Sequence, residues 1–212
     1  MPAYGQFAGT LSIASNDIFR GHSVSGDDPA VTAGIAYETD AGVYLGASTA
    51  LVADEHDGPR FNSAIQYAGF ARRAGRVTLD IGVVHRSYSR DASIEYAVDT
   101  FEGYLGIKGR NLGARLAVSP DYGGKGRLAA YFEANATIMS RGKWSLSGHL
   151  GAMLPPSEHG PAAHGTVEPD WRFVLSRQIG SASLGFGWTG LRHKPDRART
   201  SQKLFVSLSR VF

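Results

Sequence analysis

Two groups of residues have side-chain types that could do covalent or metal chemistry. Ser147 and His149 stand two apart in "WSLSGHL", a hydroxyl beside a base, and Glu102 and Glu133 supply two carboxylates. Nucleophilic catalysis needs the base within hydrogen-bond reach of the hydroxyl, with a third group to orient it. Residues at i and i+2 of an extended chain merely share a face. The spacing therefore gives no hydrolase, and no enzyme is expected. His159 and His164, with Glu158 and Glu168, have metal-ligand types, but their spacing matches no established ligand set. Solvated loop polarity accounts for them. No metal and no cofactor is expected.

A third group is more informative because of where it sits. Asp80, Arg86, Glu102, Lys108, Arg115, Glu133 and Arg172 fall inside segments that otherwise alternate apolar and polar. "VTLDIGV" sets Val77, Leu79, Ile81 and Val83 against Thr78, Asp80 and Gly82, and "LAAYFEANATI" sets Phe132, Ala134, Ala136 and Ile138 against Tyr131, Glu133, Asn135 and Thr137. Such alternation is the period of a strand with one polar and one apolar side. With Arg20 and His149, these charges are the candidates for lining a polar interior and contacting a solute.

Twelve segments of this kind run along the chain: 6–16, 29–39, 42–54, 61–73, 76–89, 94–109, 111–120, 126–140, 143–153, 170–180, 182–193 and 202–212. No linker divides them, so 1–212 is expected to be a single domain. The connections "TDAG", "RAG", "GRNLG", "SRGK" and "GSA" are short and rich in hairpin residues. They alternate strictly with longer, polar ones such as "FRGHSVSGDDP" and "LPPSEHGPAAHGTVEPDW". An outer-membrane barrel sorts its connections this way, with short periplasmic turns and longer extracellular loops. The expected fold is therefore all-β: a transmembrane, antiparallel, up-and-down β-barrel of about twelve strands.

A soluble barrel could show the same alternation with the apolar face inside. Against that, a twelve-stranded interior is large for one sheet to fill, and Gly34, Gly46, Gly82, Gly185 and Gly187 on the polar face suit a crowded lumen. The apolar face then looks at lipid and no apolar core is expected. Trp144, Trp171, Tyr37, Phe61 and Phe212 near strand ends fit interfacial girdles, and His85, on the lipid-facing register, fits an interfacial residue.

Composition agrees. Charged residues are 19% of the chain, below the roughly 25% of average usage, and Gly reaches 27 residues. Cysteine is absent, which fits an oxidising envelope. The formal charge of +3 is spread without a Lys/Arg cluster, so no nucleic-acid partner is expected. No apolar run is long enough for a transmembrane helix. "MPAYGQFAG" lacks the features of a leader, which fits either a cytosolic protein or a mature chain with its signal peptide removed, and the expected outer-membrane barrel selects the second.

The stretch "LSIASNDIFRGHSVSGDDPAVTAGIAYETDAGVYLGA" resembles the opening of the proteobacterial TorF-type putative-porin family. The likeness rests on Phe19, Arg20, Gly21, Ser23, Asp28, Pro29, Ala30, Tyr37, Tyr44, Leu45 and Gly46, with looser matches in "YAGF" and "FEGYLGIKG". It implies an outer-membrane barrel of poorly defined function. The terminal "LFVSLSRVF" also resembles the sorting signal read by the barrel-assembly machinery, with Phe212 in the last place and Arg210 as its one departure.

The expected function is passive diffusion of small polar solutes, the alternative a closed structural barrel whose loops bind another envelope component or a second copy. Arg20 would either meet an anionic solute or pin the first long loop through a lumen ion pair, the second being favoured. The lumen charges would either select solutes by their field or neutralise one another. The Pro-rich loop 154–171 would either narrow the lumen or present a binding surface.

Overall fold

The computed structural model of the chain describes residues 5–54, 58–89, 92, 99–122, 126–157, 167–192 and 200–212. Among them twelve strands form one closed antiparallel barrel: β1 (Gln6–Ala14), β4 (Ala30–Glu38), β5 (Val43–Asp54), β6 (Gly58–Ala74), β7 (Val77–Tyr88), β8 (Asp99–Lys108), β9 (Leu112–Ser119), β10 (Leu128–Arg141), β11 (Trp144–Ser157), β12 (Glu168–Ile179), β13 (Ala182–Arg192) and β14 (Thr200–Val211). Two short strands, β2 (Ile18–Phe19) and β3 (His22–Ser23), form a separate hairpin inside the first long connection. Each barrel strand pairs with its sequence neighbours, and β1 closes the sheet against β14 through pairs such as Leu11–Arg210 and Ile13–Leu208. Backbone bonds between Gly9 and Phe212 (2.9 and 3.3 Å) complete that seam at the chain end.

The side-chain pattern is inverted relative to a water-soluble barrel. Phe7, Ile35, Leu45, Leu105, Leu150 and Leu204 are between 53% and 80% exposed on the outer surface. Buried positions instead include Asn62, Ser63, Thr100, Glu102, His149 and Asp170. Each strand of the wall is bonded to a neighbour on both sides, which is what hydrocarbon demands of a spanning sheet. The barrel is thus transmembrane, with an apolar outer band. Phe61, Trp144 and Phe212 are exposed near strand ends, and the Phe7 and Tyr37 rings meet in a tilted pair with centroids 4.6 Å apart.

The expectation of an interior with no apolar core is corrected in one respect. Two small clusters pack inside the wall: Val24 with Tyr88 and Phe19, and Val84 with Tyr104, Ala117, Ile65 and Tyr67. The second exists because lumen tyrosines lie flat over glycines of the next strand. A Cβ on Gly46 would meet the Tyr67 ring at 2.4 Å, and one on Gly82 the Tyr104 hydroxyl at 2.5 Å. Phe205, on the same face as Lys203 and Ser207, covers Gly187 in this way.

Some boundaries differ from the sequence reading. The first strand stops at Ala14 rather than 16, because Asn16 and Asp17 turn inward to start the hairpin. The strand expected over 94–109 is described from Asp99 on, and 94–98 lie outside the described residues. β11 runs to Ser157 and β12 begins at Glu168, so part of the connection expected over 154–171 is wall. Its centre, with Glu158, His159, Pro161 and His164, lies outside the described residues.

The inverted pattern gives a direct test. Leu150 is 61% exposed midway along β11. Leu150→Arg should cost about 2–4 kcal/mol of stability in lipid vesicles, as for a cation near the bilayer midplane. Urea titration of the vesicle-inserted protein reads the loss. A change within about 0.5 kcal/mol, as for an ordinary wet surface, would show that this face does not meet hydrocarbon.

Candidate functional site

The site is the lumen, and the first long connection decides its shape. Residues 15–29 do not stay outside; they fold across the end of the barrel that carries the long connections. Asn16 organises the base, accepting from Ser23 Oγ (2.7 Å) and Ser25 Oγ (3.2 Å) and donating to Asp27 Oδ1 (2.6 Å). Burial pushes the Asp17 carboxyl above the usual range, opposed by its hydrogen bond from Asn62 and by the Arg172 charge. An ion pair with Lys203 ties Asp27 to β14, and the hydrogen bond from that lysine holds the Asp27 carboxyl low.

At the hairpin tip, Arg20 (φ 50°) and Gly21 (φ 77°) both take left-handed backbone. Positive φ at both central residues is what a two-residue type I′ hairpin requires. Arginine tolerates this poorly, so the tip must be held from outside. It is: Arg20 Nη2 donates to Glu102 Oε2 (2.9 Å), and Nη1 lies 2.8 Å from Oε1. The guanidinium also sits 4.0 Å over the Tyr131 ring. Gly21 touches the opposite wall, where a Cβ would fall 2.9 Å from Asp170 and Leu191. The hairpin therefore bridges the lumen. Of the two roles expected for Arg20, the geometry displays the pinning one.

Three charge networks line the wall. Arg86 Nη1 donates to the same Glu102 oxygen at 2.6 Å, and Phe19 lies between the two guanidiniums, 4.7 Å from Arg20 and 5.0 Å from Arg86. Lower down, Arg115 donates to Asp80 (3.2 Å), lies 4.0 Å from Glu133 and covers the Tyr104 ring at 4.3 Å. Tyr44 donates to Asp80 as well. On the facing side His149 Nε2 is 3.1 Å from Asp170 Oδ1, Tyr131 donates to Asp170 Oδ2 at 2.9 Å, and His149 Nδ1 contacts Asn135 at 2.8 Å. Both imidazole nitrogens are thus engaged, and Ser147 is the partner of neither.

Two chambers lie in the lumen among the described residues. The upper one, about 100 Å³, lies beneath the hairpin among Phe19, Arg20, Arg86, Glu102 and Tyr131. The lower one, about 520 Å³, opens toward the short turns among Lys108, Asn111, Asn135, Thr137 and Ser147. Arg115, Glu133, His149 and Arg172 border both and form the neck between them. All nine residues singled out from the sequence therefore line one lumen. Arg172 and Lys108 make no ion pair among the described residues.

The sequence reading missed Asp170, Phe19, Tyr44 and Tyr104. Asp170 shares a strand face with Arg172, so period two alone would have found it. The aromatic contacts depend on cross-strand register, which a single strand does not reveal. Among the described residues no three His, Asp or Glu side chains converge as a metal site.

The profile of a bacterial family described as proteins of unknown function, Gcw_chp, matches residues 3–205. The chain belongs to the Gcw_chp family. That description carries no activity and does not include the TorF-type designation suggested by the opening motif. No curated protein sequence matches the chain. Among solved structures, this Gcw_chp barrel is similar to the KdgM porin, crystallised in complex with disordered oligogalacturonate (TM-score 0.58, 9% identity, 97% of this chain and 99% of that one). It is equally similar to the NanC porin (TM-score 0.58, 9% identity, 97% and 98% coverage). At such identity the likeness is one of fold: the Gcw_chp chain has the architecture of twelve-stranded outer-membrane porins.

The networks differ in how much depends on each. The Glu102 side chain is 3% exposed and, among the described residues, is the carboxylate that pairs with both Arg20 and Arg86. Glu102→Gln leaves both guanidiniums without an anion and should cost about 3–5 kcal/mol. Glu133→Gln, at 24% exposure and 4.0 Å from Arg115, should cost less than about 1 kcal/mol. Thermal unfolding followed by the heat-dependent gel shift ranks the two, and equal losses would remove Glu102 from its central place.

Proposed function

We propose that the protein is an outer-membrane channel through which small polar solutes diffuse passively. The observation that carries this reading is the lumen itself: a charged lining that runs from the open lower chamber through a neck to the hairpin. The porin-like fold supports placing the barrel in the outer membrane, with its short turns on the periplasmic side. Assembly there would use the C-terminal strand ending at Phe212 as the signal for the barrel-assembly machinery. A solute entering from the short-turn side would meet Lys108 first, then Arg172 and Arg115, and would pass the upper chamber only beside the hairpin. No catalytic step is part of this scheme: among the described residues the His149 ring nitrogens meet Asn135, Tyr131 and Asp170 rather than Ser147.

A second reading has one observation in its favour. The upper chamber is about 100 Å³ and the hairpin above it is firmly bonded, so the barrel would be closed and its long loops would bind an envelope component. Planar-bilayer recording of the purified protein separates the two. The channel reading expects discrete unitary steps, larger in Arg20→Ala, where the tip is released from Glu102. If neither protein gives steps over many insertions, the closed reading stands.

A further inference from the structure

Charge is distributed unevenly along the barrel axis. The short-turn end carries Arg72, Arg73 and Arg76 around one turn and Arg141, Lys143 and Arg177 around another. The acids among the five short turns are Glu38 and Asp40. The second basic group differs from the first in having shape. Arg141 pairs with Trp144 across the β10–β11 turn, and Trp144 pairs with Arg177 on β12, so all three side chains stand on one outer face. With Lys143, Gly142 and Met139 they line a shallow recess of about 510 Å³. The Arg177 guanidinium lies 5.2 Å over the Trp144 ring. Among the described residues no acid lines the recess, and none of its three cations makes an ion pair.

The floor is apolar and continues upward. Met139 is 44% exposed, and Ile138 beside it 54%, at the lower edge of the outer apolar band. A site with cations at its rim, an indole at interface depth and hydrocarbon surface above fits one kind of molecule. We propose that this recess binds an anionic glycerophospholipid of the adjacent leaflet. Its phosphate takes the Arg141, Lys143 and Arg177 donors, and its acyl chains lie along Met139 and Ile138. Guanidiniums suit phosphate because their donors match its oxygens in pairs, and the indole ring suits the boundary between headgroup and chain. A free inorganic anion would use the cations but not the apolar floor. The inference rests on the transmembrane fold and not on conduction, so a barrel that passes no current still tests it.

The experiment is native mass spectrometry of the folded, full-length barrel in neutral detergent, with phosphatidylglycerol or phosphatidylcholine of identical chains added. The wild type should retain phosphatidylglycerol and not phosphatidylcholine, and excess inorganic phosphate should not displace the lipid. Arg141→Gln/Lys143→Gln/Arg177→Gln should weaken retention on the order of a hundredfold, at roughly fivefold per cation near a lipid surface. Arg72→Gln/Arg73→Gln/Arg76→Gln, on the other basic turn, should leave it unchanged. Equal retention of the two lipids, displacement by phosphate, or equal losses in the two triple variants would overturn the proposal. If the recess triple does not give the heat-modifiable folded form, Lys143→Gln in its exposed turn carries the test, with a loss of about fivefold expected and no loss overturning it.

Discussion

The pairing of β1 with β14 is the constraint from which the other features follow. An open twelve-stranded sheet would expose two rows of unpaired N–H and C=O groups, and in hydrocarbon each such group costs several kcal/mol. Closure pairs residues 10–14 with 207–211 across the seam, and backbone bonds between Gly9 and Phe212 extend it. Once the wall is a cylinder, each strand has an inside and an outside, and period two assigns every residue to one of them. Leu204, Val206 and Leu208 face out because they pair in register with Trp188, Phe186 and Leu184. A slip of one residue would turn Lys203 and Ser207 to the lipid.

The cylinder creates a second problem, which the hairpin addresses. Twelve strands enclose more space than their own side chains fill, whereas eight-stranded barrels are packed by side chains alone. Here glycine–aromatic stacking thickens part of the wall and the first connection folds in to fill the mouth. A polar segment in that position has to satisfy its own groups, which explains the dense bonding around Asn16. It also brings a cation to the middle of the lumen. Arg20 stays because Glu102 receives it, and Arg86 shares that carboxylate. The triad keeps one net positive charge, spread over two aromatic faces, Phe19 and Tyr131.

How legible was this in the chain? The strands, their number and their sidedness were, because alternation and turn chemistry are local properties. Asp80, Arg86, Glu102, Arg115 and Glu133 could be placed in the lumen for the same reason. Their partners could not. That Glu102 receives two arginines from β7 and the hairpin depends on strand stagger and on a loop turning inward. Sequence offered one hint of that turn, "FRG", in which Gly21 suits the second central place of a type I′ hairpin although Arg20 does not suit the first. The sequence reading looked instead to the longest, Pro-rich connection for a constriction, since length and stiffness were the visible cues. Among the described residues the inward element is the first connection, 15–29, with a buried apolar anchor, Val24. Burial of that anchor and the Glu102 pair repays ordering the segment, and neither is visible without the opposite wall.

The networks also bear on how a charged lumen can be both stable and permissive. Coulomb attraction strong enough to hold Arg20 in strained backbone would trap a solute if every lumen charge were free to offer it. In this barrel the acids Asp80, Glu102 and Asp170 are each engaged by a cation, a tyrosine or an imidazole. Pairing lowers the field that they project, because an ion pair looks like a dipole at a distance. Lys108 and Arg172, with no ion-pair partner among the described residues, keep theirs. The most buried pairs, on Glu102 and Asp170, lie toward the hairpin, where an unmatched charge is expensive, while Arg115 pairs with Asp80 and Glu133 beside the lower chamber. Lys108 borders the roomier lower chamber and Arg172 the neck between the two, where water screens them and a passing solute can leave as easily as it arrives. Structural charge and accessible charge are thus separated by pairing: the bonded groups hold the wall and the hairpin, and Lys108 and Arg172 remain to meet a solute.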